Sequence, residues 1–397
     1  MPRGNQNIND QLYRTRSRNA AKDHRRNPEE ARKRQIRSWI ILVVIVVGVL
    51  LGVHFLRRYS KGREIEMNSL PCFSNQSVTP FRDGLVYYDG MTLHHLSSSG
   101  TIRWSFPAGA GIQFSVGPTH LALWSGTQLY LVDQNGNASY NESLEAQVQF
   151  ARVGERYCAV VVGEDMAPKL IMKDLKGAQV DVEADAFSGL MILDTGFFGD
   201  QGDYLWTLAL DVYGTAPNTI MNTFQVGKMN TGEVSLGEDL TYLVAYENAQ
   251  LRVFTTQQAY TYDYKCVQDT NATMLVYGWK VIDTEIPARG RARFLLSSTS
   301  QIPNTQIITE LRVLEGSMDR RYTLQDSCVG ACLWKGNIYA VAADHIYRTD
   351  ASSGQRFSIY PIPVPEGVEI TAFYGITGDG KMLLASGESM YSLAVPQ

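Results

Sequence analysis

The chain has 397 residues and a formal charge of −4, and that total conceals a division: residues 1–37 carry eleven Lys/Arg against four Asp/Glu, which leaves −11 on the other 360. The acidic part has no Lys/Arg cluster to offset its field, which excludes nucleic acid and other polyanions as its ligands. Five cysteines (Cys72, Cys158, Cys266, Cys328, Cys332) are too few to staple so long a chain, and their odd number leaves at least one thiol unpaired; a disulfide scaffold is excluded and packing must supply the stability.

Residues 2–26 are polar and charged, a composition that cannot offset the entropy of ordering. Asn27, Pro28, Glu29 and Glu30 then read as a helix start, with a cap, an early proline and acids beside the positive end of the dipole. From Ser38 to Leu56 nineteen residues run without a break in apolar character (SWIILVVIVVGVLLGVHFL), His54 being the one titratable side chain. As a helix this run is roughly 28 Å long, one bilayer core, which predicts a single transmembrane span. The basic tail 1–37 sets the amino terminus in the cytoplasm, because Arg57, Arg58, Lys61 and Arg63 beyond the span are partly offset by Glu64 and Glu66. The carboxyl terminus is then extracytoplasmic, at the cell membrane, after a linker over 57–63. A cleaved signal peptide has a shorter apolar stretch, about 7–15 residues, and small residues where this chain has His54, Phe55 and Leu56. A lipoprotein signal fails because Cys72 follows Pro71 far beyond the run. Gly48 and Gly52 have the small-xxx-small spacing that lets two helices approach, which points to a weak homodimer through the anchor.

From residue 64 onward, short runs rich in Val, Ile, Leu, Tyr, Phe and Thr alternate with Gly, Asp, Asn and Ser turns, and no segment reads as a long amphipathic helix. One strand recurs before a polar turn: MTLHHL from Met91, QLYLVD from Gln128, KLIMKD from Lys169, NTFQVG from Asn222, AYTYDY from Ala259, IITELRVL from Ile307, HIYRTD from His345 and SMYSLA from Ser389. Eight copies with a mean spacing near 43 residues fit four-stranded propeller blades. The fold class is therefore all-β, an eight-bladed β-propeller over 64–397; a seven-bladed ring with one copy as an insertion, or one or two β-sandwiches, are the alternatives. The last copy ends at the third strand of its unit, so a strand within 64–73 is predicted to complete it and close the ring.

The segment GLVYYDGMTLHHLSSSGTIRW, residues 84–104, resembles the repeat of quinoprotein-type propellers, with Leu93, Leu96, Gly100 and Trp104 at matching positions. Weaker echoes at Asp133 to Gly136, Asp174 to Gly177 and Asp350 to Gly354 lack the tryptophan. The whole arrangement of basic tail, anchor and degenerate outer propeller is similar to a bacterial family of uncharacterised membrane-tethered propellers. Quinoprotein dehydrogenases hold calcium and a quinone with acidic and amide ligands and often adjacent cysteines; this chain has no Cys-Cys pair and no matching acidic set, so the resemblance implies fold without that cofactor.

Enzyme chemistry is not legible elsewhere. A strand through Cys328 and Cys332 places their sulfurs on one face about 13 Å apart, beyond disulfide reach, although a bend at Gly330 would shorten it. Two buried small apolar residues are the simpler reading. His94, His95, His120 and His345 sit in no HExxH or nucleophile-elbow context, no phosphate-binding loop is present, and no metal or cofactor is expected. The most informative features are loops between second and third strands: GEDMAPK from Gly163, DVYGTAPNT from Asp211 and STSQIPNTQ from Ser298. Such loops emerge on one propeller face, where binding surfaces form. Met166, Tyr213, Pro217, Ile302 and Pro303 supply apolar contacts there, and Asp165, Asn218 and Asn304 a polar rim. The function expected is a non-enzymatic, membrane-tethered interaction scaffold for a protein or envelope partner; a receptor signalling through anchor and tail, and a quinoprotein-like enzyme, are the alternatives.

Overall fold

The computed structural model describes residues 39, 42–43, 46–49, 66–287, 290–299, 307–353, 356–364 and 368–396. Within 66–396 it is an all-β, eight-bladed propeller: eight four-stranded antiparallel sheets follow one another in chain order. Blades 1 to 7 occupy 77–107, 113–143, 148–183, 191–237, 241–275, 279–328 and 330–361, each running from first to fourth strand. Blade 8 takes three strands from 372–394 and its fourth from Met67–Phe73, which pairs antiparallel with Ser389–Ala394. The predicted closure is therefore present, and all eight recurrent segments are third strands. The seven-bladed and sandwich alternatives are set aside.

The reason the ring forms is visible in the second strands. In blade 3, Tyr157–Glu164 reads YCAVVVGE, an unbroken apolar run of the kind that sheets buried on both faces require. Alternation sends Cys158, Val160 and Val162 into a core shared with blade 2, while Ala159 and Val161 enter a core shared with blade 4. Eight such cores lie between consecutive blades, including one between blades 8 and 1 that contains Leu70, Cys72, Leu85 and Leu383. No central hydrophobic plug is needed, because each sheet is covered by its two neighbours.

Third and fourth strands are joined by a recurrent polar turn. Asp133 Oδ1 accepts from the N–H groups of Asn135 and Asn137, and Asp174 Oδ1 accepts from those of Lys176 and Ala178. Gly136 and Gly177 hold the left-handed position, φ +84° and +89°. Blade 5 builds the same turn on Asp263, but Cys266 stands at the glycine position with φ +61°. Trp104 of blade 1 covers the Gly136 turn of blade 2 and donates its indole N–H to Gln134 O at 2.9 Å. Tyr140 packs likewise on Gly177, and Val180 on Gly227. The repeat tryptophan is thus replaced by smaller groups in the following blades.

Register shifts mark the innermost strand of five blades, at Val148/Phe150, Ile192/Asp194, Thr241/Leu243, Val281/Asp283 and Phe373/Gly375. Such bulges bend a strand and re-aim one side chain. Two of the skipped residues are tyrosines that tie the ring together: Tyr242 accepts from Val281 N–H of blade 6 at 3.0 Å, and Tyr374 donates to Ser74 O at 2.9 Å.

The expected helix start at Asn27, the linker 57–63 and most of the span 38–56 lie outside the described residues. Those described between 39 and 49 are helical, with Trp39, Leu42, Val43, Val46, Val47 and Val49 exposed. Gly48 has no atom within 4 Å of where a Cβ would stand. Among the described residues no helix is long and apolar enough to cross a membrane.

Candidate functional site

Antiparallel order fixes two faces. The upper face carries the turns between second and third strands together with the connections from one blade to the next; the lower face carries the other turns. Backbone hydrogen bonds join the two kinds of upper connection: Gly189 N–H to Met166 O at 3.1 Å, Thr256 N–H to Leu240 O at 3.1 Å, and Thr299 N–H to Gly278 O at 2.8 Å.

The sequence-predicted residues fall on this face unevenly. In GEDMAPK the added length goes into the strands, which pair up to Glu164 opposite Ala167, so Asp165 and Met166 form a tight two-residue turn rather than an extended loop. Blade 4 has a true loop of six residues between paired Asp211 and Asn218. Asp211 Oδ1 accepts from Tyr213 N–H at 3.0 Å and opens the loop as an Asx turn, while Asn218 Oδ1 accepts from Ser235 Oγ at 2.7 Å. Tyr213 is 74% exposed and Pro217 is exposed. Gly189 brings the two blades together: it bonds Met166, and a Cβ on it would stand 3.5 Å from the Tyr213 ring. Ile302, Pro303 and Asn304 lie outside the described residues.

Sequence reasoning missed the apolar residues in the connections between blades. Leu240, between blades 4 and 5, is 58% exposed, and Tyr277, between blades 5 and 6, is 74% exposed; Ile307 of blade 6 is also exposed. With Val212 and Tyr213 they form an arc of exposed apolar side chains over blades 4 to 6. The signal was present as single large apolar residues in junctions such as GEDLT and LVYGW, but only the loops within blades were weighed.

Beside this arc a cavity of about 1010 Å³ opens along the inner strands of blades 6, 7 and 8, reaching Thr299 and Ile307 at its upper end. Its acids are occupied. Asp283 accepts from Thr284 N–H at 2.8 Å and from Leu333 N–H of blade 7 at 2.7 Å. Burial pushes its carboxyl up, against the lowering effect of those two donors. Glu285 accepts from Gly336 N–H and from Arg293, whose guanidinium also reaches Glu315. These carboxylates pin blade 6 to blade 7.

All five cysteines are free and buried. Cys328 ends the fourth strand of blade 6 and Cys332 sits in the first strand of blade 7, in different cores, so the expectation of one shared face is corrected: the chain changes blade between them. Burial pushes both thiols up, Cys328 to about 12, which keeps them protonated and unreactive. No group of three His, Cys, Asp or Glu among the described residues could hold a metal ion. His94 links Ser105 Oγ (2.8 Å) and Asp89 Oδ2 (3.0 Å), a sequence of groups that resembles a hydrolytic triad. None of the three lines the cavity above, and Asp89 is committed to the N–H groups of Met91 and Thr92; the trio orders a turn.

No protein-family model matches the sequence, and no curated protein matches it. Solved propellers do match the structure. The WD40 domain of SCAP from fission yeast aligns with TM-score 0.55 and 9% identity over 84% of this chain and 99% of that one. Sqt1 from Chaetomium thermophilum gives 0.52 and 10% over 83% and 98%. BamB from Moraxella catarrhalis gives 0.51 and 12% over 84% and 100%. At these identities the likeness is one of fold.

Proposed function

We propose that the chain is a non-enzymatic interaction scaffold that presents the upper face of blades 3 to 6 to a protein partner at the cell envelope. The exposed arc of Tyr213, Leu240, Tyr277 and Ile307 carries this reading. Two exposed tyrosines with Leu240 and Ile307, gathered on the connections of neighbouring blades, have the composition of interface centres. Asp165 and Asn218 supply the polar rim, to which the sequence reading adds Asn304. The reading includes tethering through Ser38 to Leu56 with the ring outside the cytoplasm, supported by the apolar run, the charge asymmetry about it and the resemblance to membrane-tethered bacterial propellers. The filled hydrogen-bonding capacity of Asp283 and Glu285 and the raised thiol pKa values favour a scaffold over a catalyst.

Photocrosslinking residues placed at 213 and 277, with one at 267 on the lower face as control, test the reading in the native cell. A discrete crosslinked protein at the first two positions, absent at 267 and lost in a Tyr213→Ser, Leu240→Ser, Tyr277→Ser triple variant, is expected. Equal labelling from all three positions would overturn it. Protease protection of the carboxyl terminus within sealed cells would overturn the assigned topology separately.

A further inference from the structure

Three cations of the ring are buried: Lys173, Arg252 and Arg312. A buried charge is costly unless it is paired and hydrogen-bonded. Arg312 is neutralised by Asp319, which accepts from Nε and Nη2 at 2.8 Å each. Lys173 donates to Gly177 O at 3.1 Å and lies 4.5 Å from the centre of the Tyr140 ring. Arg252, 7% exposed, has neutral partners only. Its Nη1 donates to Thr261 Oγ1 and Ala272 O, and its Nη2 meets the weak acceptor Met274 Sδ at 3.7 Å. It makes no ion pair among the described residues, and its Nε donates to none of them.

Arg252 differs from the other two in a second way: it opens on a cavity of about 480 Å³ on the lower face, between blades 5 and 6. The walls mix polar groups, Gln250, Asn271 and Ser317, with the apolar Ala272 and Met274, and they include a second cation, Arg291. Gly316 admits that guanidinium, since a Cβ there would overlap it. Glu247 is the one acid in the wall, and its Oε1 already accepts from Ala292 N–H at 3.1 Å. Asp269 also stands near enough to act on the charge of Arg252, but neither acid bonds its guanidinium, so the cavity offers Arg252 Nε and the Arg291 guanidinium as donors in a volume suited to a small molecule.

We propose that this cavity binds a small ligand through a carboxylate or phosphate group held by Arg252, with Arg291 facing it from the other blade. The planar guanidinium pairs with either oxyanion, and bound ligand would supply the direct ion pair that Glu247 and Asp269, acting on Arg252 without bonding it, do not.

The test is thermal unfolding of the full chain with inorganic phosphate and, separately, acetate, each against chloride at equal ionic strength. A saturable rise in Tm is expected, with phosphate or acetate the stronger according to which oxyanion the site takes. Arg252→Gln should weaken the dependence at least tenfold and Arg291→Gln several-fold, while Arg103→Gln, remote in blade 1, should leave it intact. Should Arg252→Gln not fold, Ser317→Asp replaces it: an internal carboxylate at the cavity wall should raise Tm and abolish the response. No effect beyond chloride in the parent chain, or an equal effect in both the Arg291→Gln and Ser317→Asp variants, would overturn the proposal.

Discussion

Blades 2 and 8 join their second and third strands through two residues each, Gly126–Thr127 and Gly387–Glu388, whereas blade 4 spends six residues on the same connection and leaves Tyr213 in water. The strands beneath are alike. Each second strand is apolar on both faces and each contributes to two cores, so the difference owes nothing to how the blades are held. One arc of the ring spends its residues on closure and the other on surface, and the two should respond differently to change.

The largest effect is expected where closure depends on a strand far away in sequence. Leu70, 5% exposed, lies in the core between blades 8 and 1, where a carboxylate would be set among apolar side chains. Leu70→Asp should cost about 3–5 kcal/mol, by the penalty for a buried unpaired charge. The same charge on the other arc, Val212→Asp, should change stability by less than about 0.5 kcal/mol, because the side chain is already in water. Urea unfolding of both variants measures the contrast; similar losses would mean that the blade 4 loop is part of the fold's support.

A smaller effect is expected from acid. His95 of blade 1 is buried between the rings of Phe81 and Trp104, and burial, with the charge of Arg103 adding to it, holds its imidazole below the usual 6.5; Asp83 opposes. His120 of blade 2 is shifted down by burial too. A depressed folded-state pKa means stability is complete above 6.5 and is lost as pH falls through the folded value, at up to about 1.4 kcal/mol per pH unit for each proton. Asp83 and Asp89, held at about 2, contribute no comparable slope above pH 5. Asp283, pushed up by burial, acts with the opposite sign. The informative quantity is therefore the difference between the parent chain and His95→Gln over pH 7 to 5. A parallel course for the two would show that His95 is not the titrating group.

The fold was legible because the blade repeat is written in third strands, each ending at a polar turn, and because the unit that stops at Ala394 lacks a fourth strand. What was not legible follows from degeneracy. Cys266 stands where the turn wants glycine, so blade 5 gave no echo, and Tyr140 and Val180 replace the bracing tryptophan of blade 1. The bulges of the inner strands leave no periodic mark, since one skipped residue looks like ordinary alternation out of phase. Of the candidate site, the six-residue loop around Tyr213 was readable from its Gly and Pro content, whereas Leu240 and Tyr277 left only an ambiguous mark. Single apolar residues between strands look like frayed strand ends until the connections are known to share a face.

The gentlest perturbation isolates the surface from the scaffold. Asp211 and Asn218 are directly opposed in the sheet, so residues 212–217 can be replaced by Asn-Gly, whose type I′ turn matches the twist of paired strands. Removing an exposed loop from a register already fixed on both sides should alter stability by no more than about 1 kcal/mol, since Tyr213 is mostly in water and the closure becomes shorter. Partner crosslinking at 277 should fall sharply in the same variant. If crosslinking at 277 is unchanged while unfolding is also unchanged, the blade 4 loop is surface drift and the interface lies over blades 5 and 6 alone. If stability falls by several kcal/mol, the loop belongs to the arc that holds the ring closed, and the division between the two arcs fails.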